Sequence, residues 1–294
     1  MQTQDTSFWK WQKKYSTEAS CVRHLIKLRW PKGFVCPKCH HNHGYYNRQR
    51  KHFECAACHK QTSVTCDTLF HGSKVPLLKW FWAIFYTSSD KGGISALRLS
   101  KLIEVNWKTA FSMLRKIRKA MGNQDSIYSL QGVVELDDAF VGGKKTGKRG
   151  RGSAGKASVL VACENNDGNP GFVAMKVIRS VSKKEIQQFT KENIRPKTIV
   201  RTDAYSSNNG VEPFAKLMKK VTPPQLVDEW LPWVHVVIAN LKRFILGSFH
   251  GTSNKFLQEY LNEFCYRFNR RKWEPQIPNR LLALCVNHTN VSFA

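Results

Sequence analysis

A multidomain α+β fold is predicted by three features of this 294-residue chain. A doubled Cys-x-x-Cys signature stands near the start, a helical stretch fills residues 76–121, and strand-like and helix-like runs alternate from residue 132 onward. Together they divide the chain into an N-terminal helix and cysteine module over 1–70, a helical segment over 71–121, and a larger α/β domain over 132–294.

The composition limits what such a protein can do. With 41% hydrophobic residues the chain has enough apolar material for a real core, which excludes a mainly disordered protein. Forty-seven Lys+Arg against 21 Asp+Glu give a formal charge of +26, far more than solubility requires, and point to a polyanionic partner. Nucleic acid leads. An anionic membrane is the rival, but there is no run of about 18 apolar residues and no apolar signal-peptide region after the polar start. The expectation is a soluble, intracellular protein with no membrane partner.

In the cysteine module, Cys36-Pro-Lys-Cys39 and Cys55-Ala-Ala-Cys58 are separated by fifteen residues, the spacing of a zinc ribbon. Each short pair can form a knuckle offering two thiolates to one tetrahedral ion. Four sulfurs close the coordination shell, so Cys36, Cys39, Cys55 and Cys58 are expected to hold one structural Zn²⁺. The surrounding His40, His41, His43, His52 and His59 are read as hairpin surface. The total of nine cysteines is odd, which argues against a disulfide framework.

The next segment reads as three helices. Pro76 to Tyr86 is apolar nearly all round and suits a buried helix, Ser95 to Ile103 forms a second, and Glu104-Val-Asn106 turns into a third. There Trp107, Ala110, Phe111, Leu114 and Ile117 make an apolar stripe, with Lys108, Arg115, Lys116, Arg118 and Lys119 mostly off it. The pattern is helix-turn-helix-like, and the basic third helix is a candidate for a DNA groove. Met121 to Gln131 reads as a linker.

Beyond it, Val133–Val141, Ala157–Cys163 and Gly171–Ile178 read as three strands, followed by a helix capped by Ser182 and a fourth strand, Thr198 to Thr202, ending on Asp203. Three hairpin-linked strands, a helix, a strand and then mostly helices is the order of an RNase H-like α/β domain. In that order the first and fourth strands can lie side by side, bringing an acid of one next to Asp203. Strand parity puts Glu135 and Asp137 on one face and Asp138 on the other. Adjacent carboxylates at such a place suit two divalent ions, one activating an attacking oxygen and one stabilising a leaving oxygen.

These residues carry a resemblance. Val134-Glu-Leu-Asp-Asp-Ala-Phe-Val-Gly-Gly143, the basic Lys144 to Gly152 loop, Arg201-Thr-Asp-Ala-Tyr205, the run Asn240 to His250, Glu263 to Arg271, and Trp30-Pro-Lys-Gly-Phe-Val-Cys-Pro-Lys-Cys39 are similar to a DDE-type bacterial transposase. The family is the insertion sequence 1595 group, related to the eukaryotic Merlin elements, and the resemblance runs from about Tyr15 to Lys272. It implies Asp137 and Asp203 as metal ligands, with the third position taken by Asn240 and followed by Lys242, as in the Asp-Asp-Asn branch. It also implies Mg²⁺, two ions or Mn²⁺ in its place. Lys242 is then expected to meet a phosphate. Asp228 and Glu229 are the alternatives for the third ligand, and Asp138, where the family has Glu, is not assigned as one. The implied activity is binding of inverted-repeat ends on double-stranded DNA, phosphodiester hydrolysis and strand transfer to a target. The implied setting is a homo-oligomer on DNA in a bacterial cytoplasm, at the nucleoid. A nuclease or resolvase of the same fold, or an inactive DNA-binding derivative, are the alternatives.

Overall fold

The computed structural model describes residues 5–142, 156–221, 223, 227–250 and 252–287. The basic loop from Lys144 to Gly152 lies outside the described residues. The chain divides into two compact units, Met1–Ala120 with Trp273–Ala294, and Met121–Lys272.

The first unit opens with α1 (Phe8–Lys14) and α2 (Glu18–Arg29), capped by Ser7 and Thr17, the latter reciprocally with Ser20. A three-stranded antiparallel sheet follows, β1 (Gly44–Asn47), β2 (His52–Cys55) and β3 (Gln61–Ser63). Next come α3 (Leu77–Ser89), α4 (Ala96–Leu102) and α5 (Trp107–Asp125). The apolar run of α3 does what its composition dictates: Leu77, Trp80, Phe81, Ala83, Ile84 and Phe85 are all buried. Rings of Trp11, Tyr15, Phe70 and Trp80 gather around Phe81 and each other. The α3 N-terminus lacks a capping side chain of its own, and Glu18 supplies one, accepting the Leu77 and Leu78 N–H at 3.2 and 2.9 Å.

Two expectations change here. Arg118, placed with the basic residues off the stripe, is 1% exposed, whereas Trp107, placed on it, is 50% exposed. The stripe is rotated toward Ala110, Met113, Leu114, Ile117 and Met121, a turn that ring-rich sequence patterns do not reveal. The last helix, α10 (Ile277–Asn287), belongs to this unit and not to the α/β domain, which ends at Lys272. Its apolar positions Ile277, Leu281, Leu282 and Cys285 are buried, and the Leu69 N–H donates to the Cys285 carbonyl at 2.9 Å. An amphipathic pattern shows that a helix is packed, not against what.

The second unit is built on a five-stranded sheet in the order β6-β5-β4-β7-β8, with β4 (Val133–Val141), β5 (Ala157–Asn166), β6 (Asn169–Ile178), β7 (Ile199–Asp203) and β8 (Lys216–Lys220). The first three pair antiparallel, and β7 and β8 add parallel. This is the RNase H-like order that the sequence pattern predicts. Asp167 and Gly168 close the β5–β6 hairpin at positive φ, 50° and 81°, the conformation a two-residue turn needs. Alternation divides the core. Val134, Leu136, Leu160 and Ala162 face α6 (Lys183–Asn193), while Ala139, Val141, Val159 and Val161 pack with α8 (Pro232–Phe249) and α9 (Leu257–Asn269).

Ser182 caps α6 as expected, accepting the Glu185 N–H at 3.4 Å. The segment read as a linker is in part helical, because α5 runs on to Asp125. Asp125 is held by Arg270 at 2.7 Å. Arg271 donates to the carbonyls of Phe268 and Gly171 at 2.9 and 3.2 Å. Both arginines therefore hold the α9 terminus in place. Among the described residues no helix is long and apolar enough to cross a membrane.

Candidate functional site

The four cysteines converge as their spacing predicts: the Sγ atoms of Cys36, Cys39, Cys55 and Cys58 all lie within 4.8 Å of one another. The two halves are built alike. In each knuckle the residue after the second cysteine, His40 or His59, is left-handed, with φ of 59° and 55°. The N–H of each donates to the carbonyl of the first cysteine at 3.0 Å. These histidines are turn residues, in keeping with their reading as hairpin surface. Four clustered thiols, enough to close a tetrahedral shell, suit one structural Zn²⁺. A second trio, Cys66, Asp67 and His71, also brings ligand atoms within 4.8 Å. Its atoms are engaged internally, with the Asp67 N–H donating to His71 Nδ1 at 3.1 Å and Cys66 Sγ to Asp67 Oδ2 at 3.3 Å.

In the second unit β4 and β7 run parallel and adjacent, paired as far as Glu135 and Arg201. Asp137, midway along β4, and Asp203, the last residue of β7, each follow two residues later, so the register sets them on neighbouring strands on the face shared with Glu135. Both are half-buried. The Asp138 N–H donates to Asp137 Oδ1 at 2.8 Å. Asp203 Oδ1 accepts from the Tyr205 N–H at 3.2 Å and from Asn208 Nδ2 at 2.6 Å. Asn208, buried in the turn after β7, thereby fixes the rotation of that carboxylate.

Glu135 has a different task. It is fully buried, and its Oε2 accepts the Trp233 and Val234 N–H groups at 2.8 Å each, while Asn165 Nδ2 donates to Oε1 at 2.8 Å. Pro232 starts α8 without a donor of its own, and Leu231 offers no capping side chain. The carboxylate satisfies the exposed first-turn amides and complements the positive end of the helix. The strand that carries Asp137 thus also anchors the helix that crosses above it.

That anchoring puts His235 beside Asp137, with Nε2 at 3.3 Å from Oδ2. Asn240, the expected third ligand, is five residues further on, roughly 140° around the helix. It stands one turn before Phe244, whose ring packs 5.7 Å from that of Phe264 in α9. Asn240 and His235 are both half-buried, at the two edges of the buried stripe. Lys242, seven residues after His235, is exposed on the same flank as that histidine. Glu229 is exposed in α7 (Val227–Trp230). The side chain of Asp228 lies outside what is described. Before α8, Trp230 donates from Nε1 to the Thr202 carbonyl at 2.9 Å and lies under Arg201, 5.2 Å from its ring centre.

His235, Asn208 and the capping role of Glu135 are the residues that sequence reasoning missed. Pro232 at a helix start, combined with the same-face parity of Glu135 and Asp137, was the available signal.

Two family models match the chain. Residues 129–269 match the ISXO2-like transposase domain and residues 16–61 the transposase zinc-ribbon domain. A protein of Halobacterium salinarum described as an uncharacterized protein in transposable element ISH50 is 28% identical over 143 residues, 47% of this chain and 46% of that protein. The chain thus matches about half the length of this relative. A Mos1 transposase paired-end complex with left transposon end covers 71% of this chain and 79% of its own at 11% identity, with a TM-score of 0.30. A Mos1 mariner paired end complex with Mn covers 75% and 90% at 12% identity, with a TM-score of 0.24. At those scores the likeness carries no weight, and the fold assignment stands on the strand order.

Proposed function

We propose, from the premise that this chain belongs to the insertion sequence 1595 family of transposases through both of its matched domains, that it is a DNA transposase acting on transposon ends. The observation that supports the reading is the parallel pairing of β4 with β7 through Glu135 and Arg201, two residues before Asp137 and Asp203 on their strands. The ribbon and the basic helical segment bind double-stranded DNA, and the aspartates serve cleavage and joining.

Asp137 and Asp203, with a third group from α8, would hold Mg²⁺ or Mn²⁺. Such ions polarise the attacking oxygen, whether of water or of a 3′-hydroxyl, and offset charge on the leaving one. The chain's own contribution is rigidity. Asn208 and the Tyr205 N–H hold one carboxylate, and the Asp138 N–H holds the other, so neither must reorganise as charge develops. Lys242, exposed on the flank of His235, is assigned to a phosphate of the bound end. A homo-oligomer follows from the need to bring two ends together.

The helical segment supports the DNA-binding half. Asn106 Oδ1 accepts the Thr109 N–H at 2.8 Å and starts α5, which presents Lys108 and Lys116 on a groove of about 620 Å³ lined also by Ser73, Trp107 and Ser112. A groove with lysines and an exposed indole suits a sugar-phosphate backbone.

The test is cleavage of a duplex carrying the element's terminal repeat, with divalent metal, against Asp137→Asn. Loss of cleavage in the variant supports the reading. Nicks without joined products would reassign the protein as a nuclease, and equal cleavage by both proteins would remove these residues from the chemistry.

A further inference from the structure

The third metal ligand decides which ion a two-aspartate site can use, and α8 offers a candidate that neither family match assigns. We propose that His235 supplies this ligand through Nε2, and that the site consequently favours Mn²⁺ over Mg²⁺. The inference rests on Asp137 and Asp203 being metal ligands.

Two observations converge on it. Nε2 of His235 lies 3.3 Å from Asp137 Oδ2, close to the separation of about 3 Å between neighbouring donors around one octahedral ion with bonds of about 2.1 Å. The position of the histidine is fixed from the strand itself. Glu135, two residues before Asp137 and on the same face, holds the N–H groups of Trp233 and Val234 at 2.8 Å, immediately ahead of His235. The ligand and its aspartate thus hang from one rigid junction, the preorganisation that a metal site requires.

The chemistry follows from the donor set. Mg²⁺ binds hard oxygens, dehydrates reluctantly and is poorly served by imidazole. Mn²⁺ accepts carboxylate and water oxygens too, and gains from a nitrogen ligand more than Mg²⁺ does. Imidazole is neutral as a ligand, so two aspartates leave the site less negative than three acids would. That loss disfavours the harder, more strongly hydrated ion.

The full-length, zinc-loaded protein is titrated with Mn²⁺ without DNA and followed by pulsed electron paramagnetic resonance. The expected result is a nitrogen coupling of directly bound imidazole, present in the wild type and in Asn240→Ala, and absent in His235→Ala. It should also vanish in Asp137→Asn, which excludes histidines elsewhere. Mn²⁺ affinity should fall roughly tenfold or more in His235→Ala. His235→Glu, an acidic ligand in the same place, should retain Mn²⁺, lose the nitrogen signal and narrow the preference for Mn²⁺ over Mg²⁺. Binding that depends on Asp137 but shows no nitrogen coupling, or coupling that survives His235→Ala, would overturn the assignment while leaving the aspartate site intact. Absence of any binding sensitive to Asp137 would overturn the aspartate site and this inference together.

Discussion

Glu135 on β4 accepts the backbone N–H of Val234 at 2.8 Å, a contact spanning 99 positions of sequence that ties the strand bearing Asp137 to the start of α8. The carboxylate has no exposed surface and also serves Trp233 and Asn165. Replacing it with alanine strands three donors in the interior, an effect of about 2–4 kcal/mol. Denaturant unfolding of Glu135→Ala should show this loss. The same change should disorder the first turn of α8, and hydrogen exchange at Trp233 and Val234 should rise with it. Unchanged stability would mean that water replaces the carboxylate.

The ribbon should depend on its ion. Metal analysis is expected to find one zinc per chain, lost in Cys39→Ser or on chelation. Limited proteolysis should then cut within residues 30–63, while the α/β unit keeps its resistance, because a small hairpin with four clustered thiols and little core folds only with its metal. Intact protection after zinc removal would show that the Trp30, Phe34 and Phe53 cluster suffices by itself.

Acid should weaken the first unit through His24. Burial, with Lys14 and Lys27 adding repulsion, lowers its pKa to about 4. The ring is packed edge-on to Tyr15, with centroids 5.1 Å apart. The unfolded chain takes up this proton near 6.5 and the folded chain only near 4, so the contribution to stability is complete above about 6.5 and is lost as pH falls toward 4. Because the ring is partly exposed, a drop of about 1–2 kcal/mol is expected across that interval. His24→Phe should flatten this part of the stability profile.

Lys108 and Lys116, on the groove along α5, should carry part of the DNA affinity. Lys108→Glu with Lys116→Glu is expected to weaken binding to any duplex and to reduce the slope of log K against log salt by about 2, one for each phosphate contact. Fluorescence anisotropy at several salt concentrations measures both. An unchanged slope would place the DNA elsewhere.

Much of this organisation was legible in the sequence, for reasons that particular residues explain. Alternation located β4 to β7, since one face of each strand is apolar, and Ser182 marked the start of α6. Strand β8 escaped because Lys216-Leu-Met-Lys-Lys220 is an edge strand: its lysines guard an exposed side and hide the apolar alternation. The partner of α10 was unreadable because its apolar face would fit many surfaces. Within the site, parity set Glu135 and Asp137 on one face and the family resemblance pointed to Asp137, while the end of the fourth strand pointed to Asp203. His235 was hidden in Trp233-Val-His-Val-Val-Ile238, where a run apolar on most sides does not reveal which flank meets Asp137. That flank is set by a contact from Glu135, 98 residues before Trp233.

The central claim is that Asp137 and Asp203 together carry metal-dependent phosphoryl transfer on DNA. Its most direct measurement is strand transfer of a pre-cut terminal-repeat duplex into a target plasmid with Mn²⁺ or Mg²⁺, comparing the wild type with Asp137→Asn and Asp203→Asn. Joined products from the wild type and a loss of at least about a hundredfold in both variants are predicted, with end binding retained, since metal-held charge contributes several kcal/mol to such a step. Joining by either variant at the wild-type rate would contradict the account.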